Sequence, residues 1–339
     1  MLAVQSILGP KEEPKGAIAG LSALVAADME RVNALIVQWM QSPVALIPEL
    51  AGHLVRSGGK RLRPMLTLGA AQLCGYHGDA HIKLAAAVEF IHTATLLHDD
   101  VVDESALRRG QSTANVIWGN QASVLVGDFL YSRSFQLMVE TGNIRVLKTL
   151  ADASSVIAQG EVMQLAAQQN LETREATYLE IVAAKTAALF AAAAEVSGVV
   201  SGRGPAAEAA LRAYGHNLGI AFQLVDDALD YSGREALMGK SVGDDFREGK
   251  ITLPVILAVE RASADERAYW SRTMEQRRQT PEDLQTAIRL IEQHKTIAET
   301  LSRATGFAKL ASDALDVFPE SAMREALREL AQFCVTRAH

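Results

Sequence analysis

Phe90-Ile91-His92-Thr93-Ala94-Thr95-Leu96-Leu97-His98-Asp99-Asp100-Val101-Val102-Asp103-Glu104 is the stretch on which the fold turns. It opens as an apolar run with helical spacing and closes in acids. Asp99 and Asp103 stand four residues apart, so on a helix one lies above the other on the same face. His92, seven residues before Asp99, shares that face. Carboxylates stacked this way repel and destabilise an isolated helix. Such a cluster therefore calls for a positive partner. Hard divalent cations with oxygen ligands meet that need, and magnesium is commonly held by one or two carboxylates together with substrate phosphates.

Outward from this stretch, the chain carries no proline between Pro64 and Pro205. A proline in a helix interior costs about 3 kcal/mol, so its absence beside period-3.6 apolar spacing predicts several long helices. An amphipathic helix is expected from Ala23 to Met40, after a loose lead-in over residues 1–20 that holds Pro10 and Pro14. Pro43 and Pro48 punctuate the next connection. Loops are expected at Gly75–Gly78, Gly142–Asn143 and Ser201–Pro205, and breaks near Thr280–Pro281 and Pro319. No sustained two-residue alternation and no Asn-Gly or Asp-Gly turn between β-rich runs signals a strand or hairpin. No linker or repeat divides the chain. The expectation is an all-α fold, with residues 21–339 forming one domain.

The acidic pattern recurs at Gln223-Leu224-Val225-Asp226-Asp227-Ala228-Leu229-Asp230. Gln223, Asp227 and Asp230 fall within one helical arc, with Asp226 at its edge. A single such motif reads equally as a solvated helix end. Two copies, each embedded in apolar sequence, do not, because buried carboxylates without partners are costly. Facing each other across a cavity, the two clusters would clamp a metal-bound diphosphate.

A diphosphate also needs cations. Gly58-Gly59-Lys60-Arg61-Leu62-Arg63-Pro64 supplies them, with glycines that let backbone approach a phosphate and arginines whose planar fork matches its oxygens. Arg108-Arg109-Gly110 follows the first acidic motif. Lys185, followed by Thr186 in an otherwise apolar helix, and Lys240 and Lys250 are further candidates. Asp244 and Asp245 lie between the last two. They make the segment Ser232 to Gly249 a mixed-charge lid candidate.

Composition narrows the field. With 49% apolar and only 5% aromatic residues, the 339-residue chain favours closely packed helices. A net charge of -7 speaks against nucleic acid. Two cysteines, Cys74 and Cys334, make neither a disulfide framework nor a metal spacing. Residues Met1 to Gly20 lack the pattern of a secretory signal. The alanine-rich stretch Ala187 to Ala194 falls far short of the roughly 20 residues that span a bilayer. A cytoplasmic protein is expected, with transient membrane contact left open for product release.

These motifs together resemble the trans-isoprenyl diphosphate synthases, over roughly Leu46 to the C-terminus and most densely from Gly58 to Pro254. The resemblance rests on Gly58 to Pro64, Asp99 to Gly110, Gly160-Glu161-Val162-Met163-Gln164, Lys185-Thr186, Phe222 to Asp230, Gly239-Lys240, Gly243-Asp244-Asp245 and Glu248-Gly249-Lys250. Val88 to Glu104 is similar to the octaprenyl and nonaprenyl branch, which makes side chains for respiratory quinones. The family fold is a bundle of mostly antiparallel helices around a deep central cavity, usually as a homodimer.

The resemblance implies roles. Asp99, Asp103 and Asp226 would hold magnesium on an allylic diphosphate, supported by Asp100, Asp227 and Asp230. Arg108, Lys185, Thr186, Gln223 and Lys240 would contact that diphosphate. Lys60, Arg63, His92 and Arg109 would bind isopentenyl diphosphate, with Gly59 and Lys250 also in the substrate sites. The growing tail would run beneath Asp99, past Ala94 and Thr95 and then Ile91. A bulky aromatic at that level would block it within about one turn, about 5.4 Å; none is there, which predicts a C40–C45 product. Phe135, Met138 and Met163 are deeper wall candidates. Four alternatives stand beside this reading: a shorter-chain synthase (C15–C20), a terpene cyclase, a non-catalytic subunit of a heteromeric synthase and a generic helical metal-binding scaffold, the last of which leaves the basic residues unexplained. The intact second motif and the Gly58–Pro64 run count against the cyclase, and the complete acidic clusters against the subunit.

Overall fold

The computed structural model describes residues 17–56, 59–108, 110–232 and 242–336. The chain starts with α1 (Ala17–Leu24), α2 (Ala26–Trp39) and α3 (Leu46–Arg56). Where the pattern predicts one helix from Ala23, a turn at Val25 makes two, and the first begins at Ala17. The rest of the expected lead-in lies outside the described residues. Pro48 sits in the first turn of α3 rather than between helices. That position tolerates proline, because an amide there has no intrahelical partner to lose.

Next come α4 (Leu62–Leu73) and α5 (Ala80–Val102), the helix that carries the first acidic motif. The proline-free run permits its length. Ala85, Ala86, Ala87 and Ala94 are all fully buried along it, small enough to admit neighbouring helices closely. A two-stranded antiparallel hairpin follows, β1 (Leu107–Arg108) and β2 (Gln111–Ser112), with Leu107 opposite Ser112. The hairpin corrects the strand-free expectation. Each strand is too short to show alternation, and the turn uses Gly110 at φ 75° instead of an Asn-Gly or Asp-Gly pair. After α6 (Ala114–Trp118) come α7 (Asn120–Val139) and α8 (Ile144–Ala167). The packing of α5 along α7 depends on Gly127, where a methyl group would collide with the His98 ring.

In α9 (Glu175–Val182) the helix runs into a wide π turn, Ala183–Ala187, and then into α10 (Ala188–Ser201). Pro205 opens α11 (Pro205–Asp230), which ends in the second acidic motif. Short α12 (Asp244–Glu248) lies within the segment expected as a loop, and α13 (Leu253–Glu260) has Pro254 in its first turn. Next is α14 (Ala264–Trp270), whose Ser263 and Glu266 form a reciprocal capping box. The chain ends with α15 (Asp283–Gln293), α16 (Thr296–Ala314) and α17 (Ala322–Thr336). Among the described residues the hairpin supplies the only strands, so the fold is all-α.

Two compact units share the chain. The first comprises residues up to Ser154, Leu189–Gly215 and Ala314–Leu330; the second comprises Ser155–Ala188, His216–Asp313 and the chain from Ala331. Neither is one continuous stretch, and no linker separates them. In the second unit, Tyr178, Val182, Ile220, Leu224, Val225 and Leu257 form one core cluster and Phe246, Val255, Trp270 and Met274 belong to another. Among the described residues no helix is long and apolar enough to cross a membrane.

Candidate active site

In the first unit, the acidic motif occupies the C-terminal end of α5, with Asp103 as the residue that closes the helix. A helix C-terminus carries partial negative charge, so these carboxylates meet an unfavourable dipole as well as each other. Asp99 and Asp103 keep part of their surface open; Asp100 is buried. The β hairpin turns the chain back so that Arg108 reaches Asp100. Its Nε and Nη2 both donate to Oδ1, at 2.8 and 2.7 Å. Burial pushes the Asp100 carboxyl up, against the pull of Arg108, and the Asp99 and Asp103 charges push the same way. Asp100 Oδ2 is buried and has no hydrogen-bond partner among the described residues.

The basic run lies at the start of α4. Lys60 and Gly59 are exposed. Arg61 holds a left-handed backbone at φ 49° and pairs with the buried Glu89 of α5. An arginine in that region is uncommon, and such residues cluster at functional sites. Arg63 stacks on the Phe190 ring, 4.3 Å from its centroid, and its Nη1 lies 3.2 Å from His92 Nε2. Arg61, Glu89, His92 and Thr93 line a small, partly open pocket there. The structure thus joins Arg63 and His92, which the sequence linked only through the resemblance.

In the second unit, an open cleft is lined by Lys185, Thr186, Gln223, Asp227 and Lys250, among others. The two members of the Lys-Thr pair sit inside the π turn, a distortion frequent at functional sites. Gly160 has a direct role here, since a Cβ on it would come within 2.6 Å of the Lys185 amide nitrogen. Its neighbour Glu161 holds Lys185 at 2.6 Å. Thr186 donates to Gln223 Oε1 at 3.0 Å, and Gln223 Nε2 donates to Asp227 Oδ1 at 2.7 Å. The buried Tyr178 donates its hydroxyl to the other Asp227 oxygen.

Burial is the main cause that pushes Asp227 up to about 6, opposed by the Tyr178 and Gln223 bonds and reinforced by the Asp226 charge. Asp230 turns inward: its two oxygens accept from the backbone amides of Asp244 and Asp245, each at 3.1 Å, and so anchor the start of α12. Asp245 faces the same cleft, and burial together with the Asp230 and Asp227 charges raises it well above the usual carboxylate range. Lys250 pairs with Glu248 at 2.6 Å.

Of the expected site residues, Gly58, Arg109 and Lys240 lie outside the described residues. The expected chain-length residues divide. Ile91 and Ala94 have no exposure at all, as has Met138, whereas Thr95 is partly open, its hydroxyl donating to His92 O at 2.8 Å. Phe135 and Met163 are also partly open. Tyr178, Glu89 and Phe190 were not singled out from sequence. Tyr178 stands seven residues before Lys185, a spacing that could have flagged it; nothing local marks the other two.

Residues 44–291 match the sequence pattern of the Polyprenyl synthetase family. The chain belongs to that family. A similar polyprenyl synthetase is octaprenyl diphosphate synthase of Escherichia coli (strain K12), 45% identical over 317 residues, which are 94% of this chain and 98% of that one. A decaprenyl diphosphate synthase structure from Rhodobacter capsulatus is 54% identical, with a TM-score of 0.91 over 94% of this chain and 98% of its own. The polyprenyl synthase of Caulobacter crescentus CB15, complexed with calcium and isoprenyl diphosphate, reaches 0.93 at 53% identity over 97% and 100%.

The oxygen donors of this polyprenyl synthetase fit a divalent cation. Among the described residues no three His, Cys, Asp or Glu side chains are arranged to hold a metal by themselves. Magnesium does not require such a cage, because substrate phosphates and water complete its shell. The partly exposed carboxylates Asp99 and Asp103 could contribute oxygens to such a shared shell. In the second motif, Asp226 keeps part of its surface open, while Asp227 and Asp230 are tied to protein donors.

Proposed function

We propose that this polyprenyl synthetase is a magnesium-dependent, long-chain trans-polyprenyl diphosphate synthase that condenses isopentenyl diphosphate onto an allylic diphosphate, with farnesyl diphosphate as primer, to give a C40–C45 product for a quinone side chain. The observation that carries this reading is the cleft where Lys185, Thr186, Gln223, Asp227 and Lys250 converge. Cations, a hydroxyl and an amide at one opening match the oxygens of a diphosphate. The relatives named for octaprenyl and decaprenyl products support a long chain.

Asp99, Asp103 and Asp226 would hold a divalent cation, which would supply positive charge for the diphosphate as its C–O bond ionises. Lys185 gives up Glu161 for substrate oxygens, and Thr186 and Gln223 orient the same group. Arg108 adds charge beside the first motif. Arg63, fixed against Phe190 and His92, binds the second diphosphate with Lys60. The isopentenyl double bond attacks the allylic carbon, a new C–C bond forms, and a proton leaves to the released diphosphate. Val102, Leu107, Val116, Ile117 and Leu125, all exposed, support a homodimer that covers them. The cytoplasm is the proposed compartment.

The test is product analysis of the purified chain with magnesium, farnesyl diphosphate and labelled isopentenyl diphosphate. Polyprenyl diphosphates of about eight or nine units are expected. Products that stop at C15–C20 would replace the long-chain reading, and no elongation would favour a non-catalytic subunit. Thr95→Phe should shorten the product; an unchanged length removes Thr95 from the tunnel wall. It is a cleaner probe than Ala94→Phe, which would also overpack a closed core position.

A further inference from the structure

The hydrogen bonds around Asp227 form a two-point brace. Tyr178 and Thr186 come from one helical path, α9 and the π turn that follows it. Gln223 and Asp227 are one turn apart on α11. Tyr178 engages Asp227, Thr186 engages Gln223, and Gln223 and Asp227 bond each other. Two hydroxyls on one helix thus grip two side chains on another.

The wide turn is what lets both hydroxyls engage. Eight residues of regular α-helix would leave Thr186 roughly 80° around the axis from Tyr178. The turn closed by Ala188 N–H on Ala183 O holds one residue more than an α turn and rotates Thr186 back towards Tyr178. Gly160, by letting α8 lie against the Lys185 backbone, supports the same distortion. Along the chain of bonds Tyr178–Asp227–Gln223–Thr186, the Tyr178 hydroxyl is the end opposite Thr186, and it holds the Asp227 oxygen that Gln223 does not.

We propose that Tyr178 is a positioning residue for the allylic diphosphate: its hydroxyl fixes the Asp227 rotamer, and through Gln223 it fixes the Thr186 hydroxyl at the mouth of the cleft. The proposal rests on the synthase reading above. It assigns Tyr178 no contact with substrate and no proton transfer. Losing this hydroxyl should loosen one substrate site and spare the other.

Tyr178→Phe keeps the buried ring and removes only the donor. A non-reactive thiolo analogue of farnesyl diphosphate, titrated calorimetrically at 10 °C with magnesium, should bind Y178F about tenfold more weakly, the worth of one hydrogen bond. In elongation assays the KM for the allylic substrate should rise to match, while the KM for isopentenyl diphosphate stays within about twofold. Tyr269→Phe is the control. Its hydroxyl donates to Asp283 O at 2.6 Å in the same unit, so the variant should lose stability without separating the two KM values.

Unchanged analogue binding overturns the proposal, as do equal rises in both KM values. A Y178F chain without a cooperative melt does so too, by making the hydroxyl purely structural. Absence of elongation by the wild-type chain would instead count against the synthase reading, so the two failures are distinguishable.

Discussion

The two acidic motifs share one spacing, and both close a long helix, α5 in one unit and α11 in the other, yet their inner carboxylates are held by opposite means. Asp100 is buried against a guanidinium, that of Arg108. Asp227 is buried against neutral donors, the Tyr178 hydroxyl and the Gln223 amide. Burial raises both acids. The difference lies in what each leaves behind when removed: a stranded cation in one case, two uncharged donors in the other. An Asp-Asp-x-x-Asp pattern therefore specifies where charge is concentrated and leaves open how that charge is stabilised.

The outer acids are where the two motifs should behave alike. Replacing Asp99 or Asp226 with alanine should each lower turnover by about a thousandfold, as expected when a group that stabilises transition-state charge is removed. Steady-state rates check this. A near-normal rate in either variant would break the symmetry between the motifs at the level of chemistry.

The inner acids should differ in stability. Asp100→Ala leaves the Arg108 charge without its partner and should cost about 3 kcal/mol or more by denaturant unfolding. Asp227→Ala leaves only neutral donors unsatisfied, at about 1–3 kcal/mol. Equal losses would mean that Arg108 finds another partner and that the contrast is not one of charge.

The smallest effect is a pH dependence. Asp227 has a folded-state value of about 6, above the ordinary 3.8. A raised carboxylate contributes stability that is fully present below about pH 4 and is lost as pH rises through about 6. Asp227→Asn cannot ionise, so its melting temperature in chelator should gain on the wild type across that interval. A constant difference from pH 4 to 7 would show that Asp227 is not the raised group.

Much of the site was legible before any coordinates. Both acidic motifs and the Lys-Thr pair stood out, because charges in apolar helical sequence need a ligand or a partner; Gly160-Glu161 entered only through the family resemblance. The hairpin after α5 did not, since two residues per strand carry no period. The inward turn of Asp230 did not either: its partners are backbone amides of Asp244 and Asp245, and amides have no signature in sequence. Ala94 and Thr95 look alike as small residues, and only packing separates the closed one from the open one.

By itself the sequence determined the all-α class, the presence of long helices between Pro64 and Pro205 and the positions of the charges, because helix period and proline exclusion are local properties of the chain. Tertiary structure alone decided which acid meets Arg108, that Arg63 rests between Phe190 and His92, and that a wide turn presents Lys185 and Thr186 to Gln223. Those contacts join residues from 8 to more than 100 positions apart, through bonds whose partners are chosen by packing and backbone geometry rather than by spacing.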